Sequence, residues 1–302
     1  MRKHLVQTDC FRHKEELIRV GLQVVSVVTL LILVGIFLFL FINAFDVFST
    51  LSLKEFLLGR EWNPIAYGQP LWGILGLLKG TFMVTFGGLL LALPIGLSTA
   101  LYLSFVASRK VREIIKPVIE LIASIPSVVL GLLGIVFLSP FIAQIFGLPS
   151  GLNALSASIV VAIMILPTII SISEDVLSSL PSTFMEASLA LGATKWQTIK
   201  MVLFPAARSG ILAAIMLALG RAVGETMAVL MVAGNARAFP SSFFDPVRPM
   251  TATIAIEIKE VVQGSFHYHA LFAIGLVLFL LTFLINLIGD LIISKQVKKY
   301  RW

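Results

Sequence analysis

EASLALGATKWQTIKMVLFPAARSGILAAIMLALGRAVGE, residues 186–225, is the stretch whose reading decides the fold. Its first half is a polar helix–turn–helix, and its second half, joined without a linker, is an apolar helix carrying Arg221 and Glu225. Pro181-Ser182 predicts a helix start with Ser182 as cap, and Gly192 supplies the left-handed turn that ends that helix. Thr194 caps a second helix bearing Trp196, Ile199 and Val202, which Pro205 closes. A DNA-reading motif has the same outline. Only Lys195, Lys200 and Arg208 are basic here, however, and both flanks enter apolar runs, so there is no nucleic-acid footprint. An inert loop has no use for Trp196 or an apolar face. An amphipathic helix held between two membrane spans suits insertion into a groove on a soluble partner.

The flanks are membrane spans because of composition. The chain has 302 residues, 58% of them hydrophobic and 13% charged, where a soluble domain carries about 25% charged residues. The run 121–173, bounded by Glu120 and Glu174, contains no Lys, Arg, Asp or Glu. It is long enough for two crossings separated by the turn-rich SPFIAQIFGLPSGLN. Six spans are expected: Gly21–Ile42, about 80–105 with a kink at Pro94, Pro117–Leu138, Leu155–Ile172 ending near Pro167, Gly210–Val232 and Ala270–Ile293. FINAFDVF follows the first run in place of a cleavage site, so that run is expected to be retained. Trp62 and Tyr67 are interfacial aromatics. The net charge of +7 sets topology: the basic residues gather in 1–20, 106–116, 174–208 and 294–302, which places both termini in the cytoplasm. The single Cys10 lies in the basic tail and has no intrachain partner for a disulfide. The division is therefore 1–70 (tail, first span and outer loop), 71–293 (transmembrane domain with the cytoplasmic loop 174–208) and 294–302 (basic tail).

The loop also carries a resemblance. Glu186-Ala187-Ser188, Gly192, Val202 and Phe204-Pro205 are similar to the coupling-loop signature of ABC importer permeases, with Ser188, Val202 and Phe204 as conservative departures. The resemblance implies a type I importer permease (MetI-like) fold whose loop, with Thr194, Lys195 and Trp196, docks on a separate ATPase.

Arg221 and Glu225 are four residues apart, which predicts one helix face and mutual reach. Each costs several kcal/mol at the bilayer centre unless paired or wetted. One reading makes them an ion pair that fixes packing; the other makes Arg221 a forked oxyanion ligand. In the second reading Glu225 either neutralises Arg221 between transport events or accepts the proton of hydrogen phosphate. Gly220 and Gly224 form a GxxxG step that admits a neighbouring helix. Thr226, Ser124 and Ser127 are polar candidates for the same path, although bonding within their own helices is the default. Lys79 reads as a snorkelling edge residue or a functional intramembrane charge. Glu120 reads as a cap near the inner face or a contact to the fifth span or loop. His267 and His269 have no further metal ligands nearby and read as interfacial histidines.

GRAVGET (220–226), ASIPSVVLGLLG (123–134), LPTII (166–170) and TATIAIE (251–257) resemble permeases of the phosphate-specific transport (Pst) system, the PstC type more than the PstA type. The resemblance implies a PstA-type permease, two PstB-type ATPases and the phosphate-binding protein PstS as partners. No cofactor is then held by this chain, and ATP-Mg belongs to the ATPase. A sister PstA-like permease or a permease for a related oxyanion such as molybdate is the alternative.

Other classes are poorly supplied. No GxxxxGK[ST] is present; Lys79-Gly80-Thr81 has the wrong order, so energy must come from a partner. A secondary transporter would show internal repeats, and an intramembrane enzyme would need a histidine in a span or a metal-spaced cluster.

Overall fold

The computed structural model describes residues 2–66 and 68–299, without the side chains of 2–15, 17 and 296–299. The expectations for Cys10, for Tyr67 and for most of the basic side chains of both tails therefore fall outside the described residues.

Five helices are long and apolar enough to cross a bilayer, and a bent pair brings the number to six. The first is α1 (Arg2–Thr50), whose spanning part begins at Ile18. Outside the membrane, α2 (Leu53–Leu58) and the antiparallel pair β1 (Trp62–Asn63) and β2 (Leu71–Trp72) form a small cap. The second span, α3 (Leu75–Phe105), continues through Pro94.

The third crossing lies further along the chain than its hydropathy predicts. Residues 109–124 form α4 (Arg109–Ser124), an amphipathic helix that includes Pro117. The break comes at Ile125, which is extended at ψ 127°, as the residue before Pro126 is forced to be. The span proper is α5 (Ser127–Leu133), a π turn (Gly134–Leu138) and α6 (Ser139–Phe146). Ser139-Pro140 opens α6 because proline is tolerated in a first helical turn, so the predicted hairpin shrinks to Gly147–Asn153. Gly147 ends α6 in the left-handed conformation at φ 61°.

The fourth span, α7 (Ala154–Ser178), runs straight past Pro167 instead of ending there. It packs along α3 through small residues: a Cβ on Gly88 would stand 2.9 Å from Val161 Cγ1, and one on Gly96 2.8 Å from Ile169 Cγ2. In lipid such close approach is what holds helices together, since no hydrophobic gain separates helix from acyl chain.

The elbow follows as α8 (Ser182–Ala190), α9 (Lys195–Thr198), a π turn (Ile199–Leu203) and α10 (Phe204–Ala206). The chain then bends by 67° into α11 (Arg208–Gly224). Pro205 therefore does not close the elbow helix; the bend follows it at Ala207. After α11 come α12 (Met227–Val232), α13 (Met250–Glu257) and the last span, α14 (Phe266–Lys299).

Two cores result. One joins α3, α5, α7, α11 and α12 around Val161, Ile165, Ile169, Ala218 and Val229. The other sits at the outer side, where α1, the cap, α13 and α14 meet around Trp62, Ile74, Met250 and Ile274. Glu257, 2% exposed, ties the second core together. It accepts from Trp62 Nε1 at 3.0 Å, lies 2.8 Å from His267 Nε2 and pairs with Arg248 at 2.9 Å. His269 bonds the Asn43 carbonyl at 2.8 Å, and no metal-holding cluster of three ligands exists among the described residues. The two histidines are thus engaged at the interface. Lys79, in the first turns of α3, places its ammonium 4.5 Å from the Phe239 ring centre, an outer-edge position.

Candidate functional site

The elbow between α7 and α11 is built largely as its sequence implies. Gly192 is left-handed at φ 83°, where a side chain would be strained. Thr194 and Gln197 form a reciprocal capping box at the start of α9. Ser182 is not a cap: Pro181 occupies that position and Ser182 is the first helical residue, without a cap bond. Ser188, a departure from the family signature, stands 3.0 Å from the Thr198 hydroxyl and so joins α8 to α9. Glu186, Ala187, Lys195 and Trp196 are exposed, Trp196 by 64%, while Thr198, Ile199 and Leu203 are buried beneath. A stiff elbow thus presents a large indole outward.

A second cluster anchors α7 just before the elbow. Glu174, 1% exposed, pairs with Arg112 and, at 2.8 Å, with Lys116 of α4, and it accepts from Ser178 Oγ at 2.9 Å. Lys116 also reaches Asp175 at 2.8 Å. Its pKa is raised by the hydrogen bonds to Asp175 and then Glu174. The sequence marked Glu174 only as the end of an uncharged run; the matching spacing of Arg112 and Lys116 on another helix had no local signal.

The membrane charges are arranged differently from their i, i+4 spacing. The fifth span is broken: α11 stops at Gly224, and Glu225 is extended at φ −68°, ψ 122°. Glu225 consequently leaves the Arg221 face, and no ion pair joins the two among the described residues. Instead Glu225 Oε1 accepts from Ala228 N at 3.0 Å and stabilises the opening turn of α12, whose orphan amides need an acceptor. Arg221 Nη1 donates to Thr168 Oγ1 of α7 at 3.3 Å. Thr168 stands roughly 15 Å before Ser178 and about 21 Å after Ala154 at helical rise, so the guanidinium lies near mid-membrane. Thr168 sits inside LPTII but was not singled out from the sequence.

Leu217, Arg221 and Gly224 form one exposed stripe of α11, flanked on one side by the buried Ala214, Ala218 and Ala222. Among the described residues nothing stands within 4 Å of a Cβ on Gly224, and the nearest atom to one on Gly220 is Asn286 Oδ1 of α14 at 3.7 Å. The GxxxG step therefore receives no tight helix of this chain. Ser124 donates to the Leu121 carbonyl and Thr226 to that of Gly224, so both hydroxyls are engaged locally. Ser127 opens α5, and Glu120 is exposed on α4.

A bundle of helices that can cross a membrane, an exposed elbow between two of them, and a guanidinium with no carboxylate partner among the described residues fit a membrane component of a transport system. The chain belongs to the family of binding-protein-dependent transport system inner membrane components, whose model matches residues 92–301. It is similar to a probable ABC transporter permease protein, YqgH, of Bacillus subtilis, with 40% identity over 87% of this chain and 85% of the relative. It is also similar to the phosphate transport system permease protein PstC of Mesorhizobium japonicum, with 36% identity over 86% and 84%. Among solved structures, an inward-facing form of the MetNI methionine ABC transporter shares the fold, with a TM-score of 0.56, 24% identity and coverage of 74% of this chain and 94% of that one. The chain is thus a multi-pass membrane transport subunit with the type I importer permease fold.

Proposed function

We propose that this chain is the PstC-type permease of an ATP-driven importer that carries inorganic phosphate across the cytoplasmic membrane by alternating access. The observation that carries the reading is Arg221: a mid-membrane guanidinium bonded to a threonine hydroxyl and not to a carboxylate, on a helix face left uncovered. A cation at membrane depth without a counter-ion is costly, and a transiting oxyanion relieves that cost with charge-assisted bonds. The exposed elbow around Glu186 and Trp196 would seat in one of two PstB-type ATPases, which bind the ATP-Mg. A PstA-type permease would cover the open Leu217–Arg221–Gly224 stripe, and a PstS-type protein would deliver the solute. Glu225, turned away from Arg221, is available to meet the proton of hydrogen phosphate, a group that sulfate lacks. Relatives named for phosphate transport support the choice of solute.

Arg221→Lys keeps the charge but removes the fork. Phosphate uptake by cells carrying it is expected to fall at least about tenfold, matching the loss of one charge-assisted bond. Uptake equal to wild type would remove Arg221 from the path. Uptake that persists without the ATPase but collapses with a protonophore would point to a gradient-driven carrier instead.

A further inference from the structure

Beside the helix break lies a small, half-open space between the second span, the fifth span and α13. Its polar lining is Thr81 and Thr85 of α3, Glu225, and Thr251 of α13, and it leaves about 10 Å³ to the centre of a water-sized sphere. That is at the threshold for a single water, which also needs two to four polar partners.

The hydrogen-bond inventory of the lining is uneven. Thr81 Oγ1 donates to the Leu77 carbonyl at 2.9 Å and accepts from Met250 N at 3.0 Å. Thr251 Oγ1 donates to the Glu225 carbonyl at 3.2 Å. One oxygen of the Glu225 carboxylate is taken by Ala228 N. Thr85 is 2% exposed as a residue; its hydroxyl has no hydrogen bond to a protein group among the described residues and is not one of the sealed polar atoms, so a water can reach it. The site therefore has one unused donor, on Thr85, and unused acceptor capacity on Glu225, Thr251 and Thr81. A water matches that balance: it accepts from Thr85 and has two hydrogens for the acceptors. A cation would leave the Thr85 hydrogen unmatched.

We propose that this cavity holds one ordered water bridging Thr85 Oγ1 and the Glu225 carboxylate, which makes Thr85 a positioning residue for Glu225. With one oxygen on Ala228 N and the carboxylate also held by the water, Glu225 is kept off Arg221. The guanidinium then stays open to a solute. The positioning role rests on the phosphate reading; the water does not.

The test uses the assembled transporter with its ATPase and binding protein. A high-resolution map is expected to show one peak in the cavity about 2.7–2.8 Å from Thr85 Oγ1, the length of an O–H···O bond. In proteoliposomes Thr85→Val, which keeps shape but loses the hydroxyl, is expected to raise the KM for phosphate about tenfold, the loss of one bond to a charged group. ATPase turnover should stay near wild type. Thr85→Ser should restore the KM. A map with no peak, or with oxygen distances well below about 2.7 Å together with Na⁺-dependent uptake, would overturn the water. Equal impairment in Thr85→Val and Thr85→Ser would reduce Thr85 to packing, and an unchanged Thr85→Val would remove its role. If the wild-type complex moves no phosphate, the functional reading fails while the map still decides the water.

Discussion

Glu174 and Glu225 show two ways in which an apolar protein keeps a carboxylate. Glu174 is sealed and met by Arg112, Lys116 and Ser178, so its charge is compensated from a neighbouring helix. Glu225 is half-buried and met by a backbone amide, which is possible only because the helix breaks beside it. The first arrangement has a pH signature. The Lys116 pKa is raised in the folded state, so its contribution is fully present below the ordinary value of 10.5 and is lost as pH rises through the higher folded value. Purified protein should lose thermal stability above pH 10.5, and Lys116→Met should be less stable at neutral pH but flatter across that window. An identical alkaline slope in the variant would show that the pairs contribute nothing.

At the scale of elements, the elbow is rigid within itself and exposed where it would be gripped. Removing the indole should therefore separate docking from folding. Trp196→Ala is expected to leave thermal stability within about 0.5 kcal/mol, as surface changes do, while the ATPase no longer co-purifies. Gly192→Ala acts differently. At φ 83° an alanine is strained by roughly 1–2 kcal/mol, so both elbow order and co-purification should decline. If the ATPase is retained by Trp196→Ala, the docking face lies elsewhere on the elbow.

At the scale of the whole molecule, Glu257 closes the outer side. It is the point where the β1 cap, α13, α14 and the Arg237–Arg248 loop meet. Glu257→Gln would leave Arg248, 6% exposed, without its counter-ion. Breaking a buried pair costs about 3–5 kcal/mol, and a drop of that order is expected in the unfolding of the purified protein. A drop of less than about 1 kcal/mol would place the pair among those that solvent already screens.

Much of this was legible because periodicity, composition and turn chemistry are local. The elbow could be read from Gly192, Thr194 and the family signature, and the spans from uncharged runs. Where two local signals competed, sequence gave the wrong boundary: Pro117 and Pro167 look like helix ends, yet both lie inside helices, while Pro126 makes the break. Charge spacing singled out Arg221 and Glu225 but misjudged their relation, since i, i+4 logic holds only within an unbroken helix.

By itself, then, the sequence determined a six-span membrane protein with a helix–turn–helix elbow between two spans and charges at membrane depth. Tertiary structure alone decided which partners those charges take: Thr168 for Arg221, Ala228 for Glu225, Arg112 and Lys116 for Glu174. The reason is physical. Burial forces every charge to find a partner, but the partners come from other helices, and their register is set by packing that no single segment encodes.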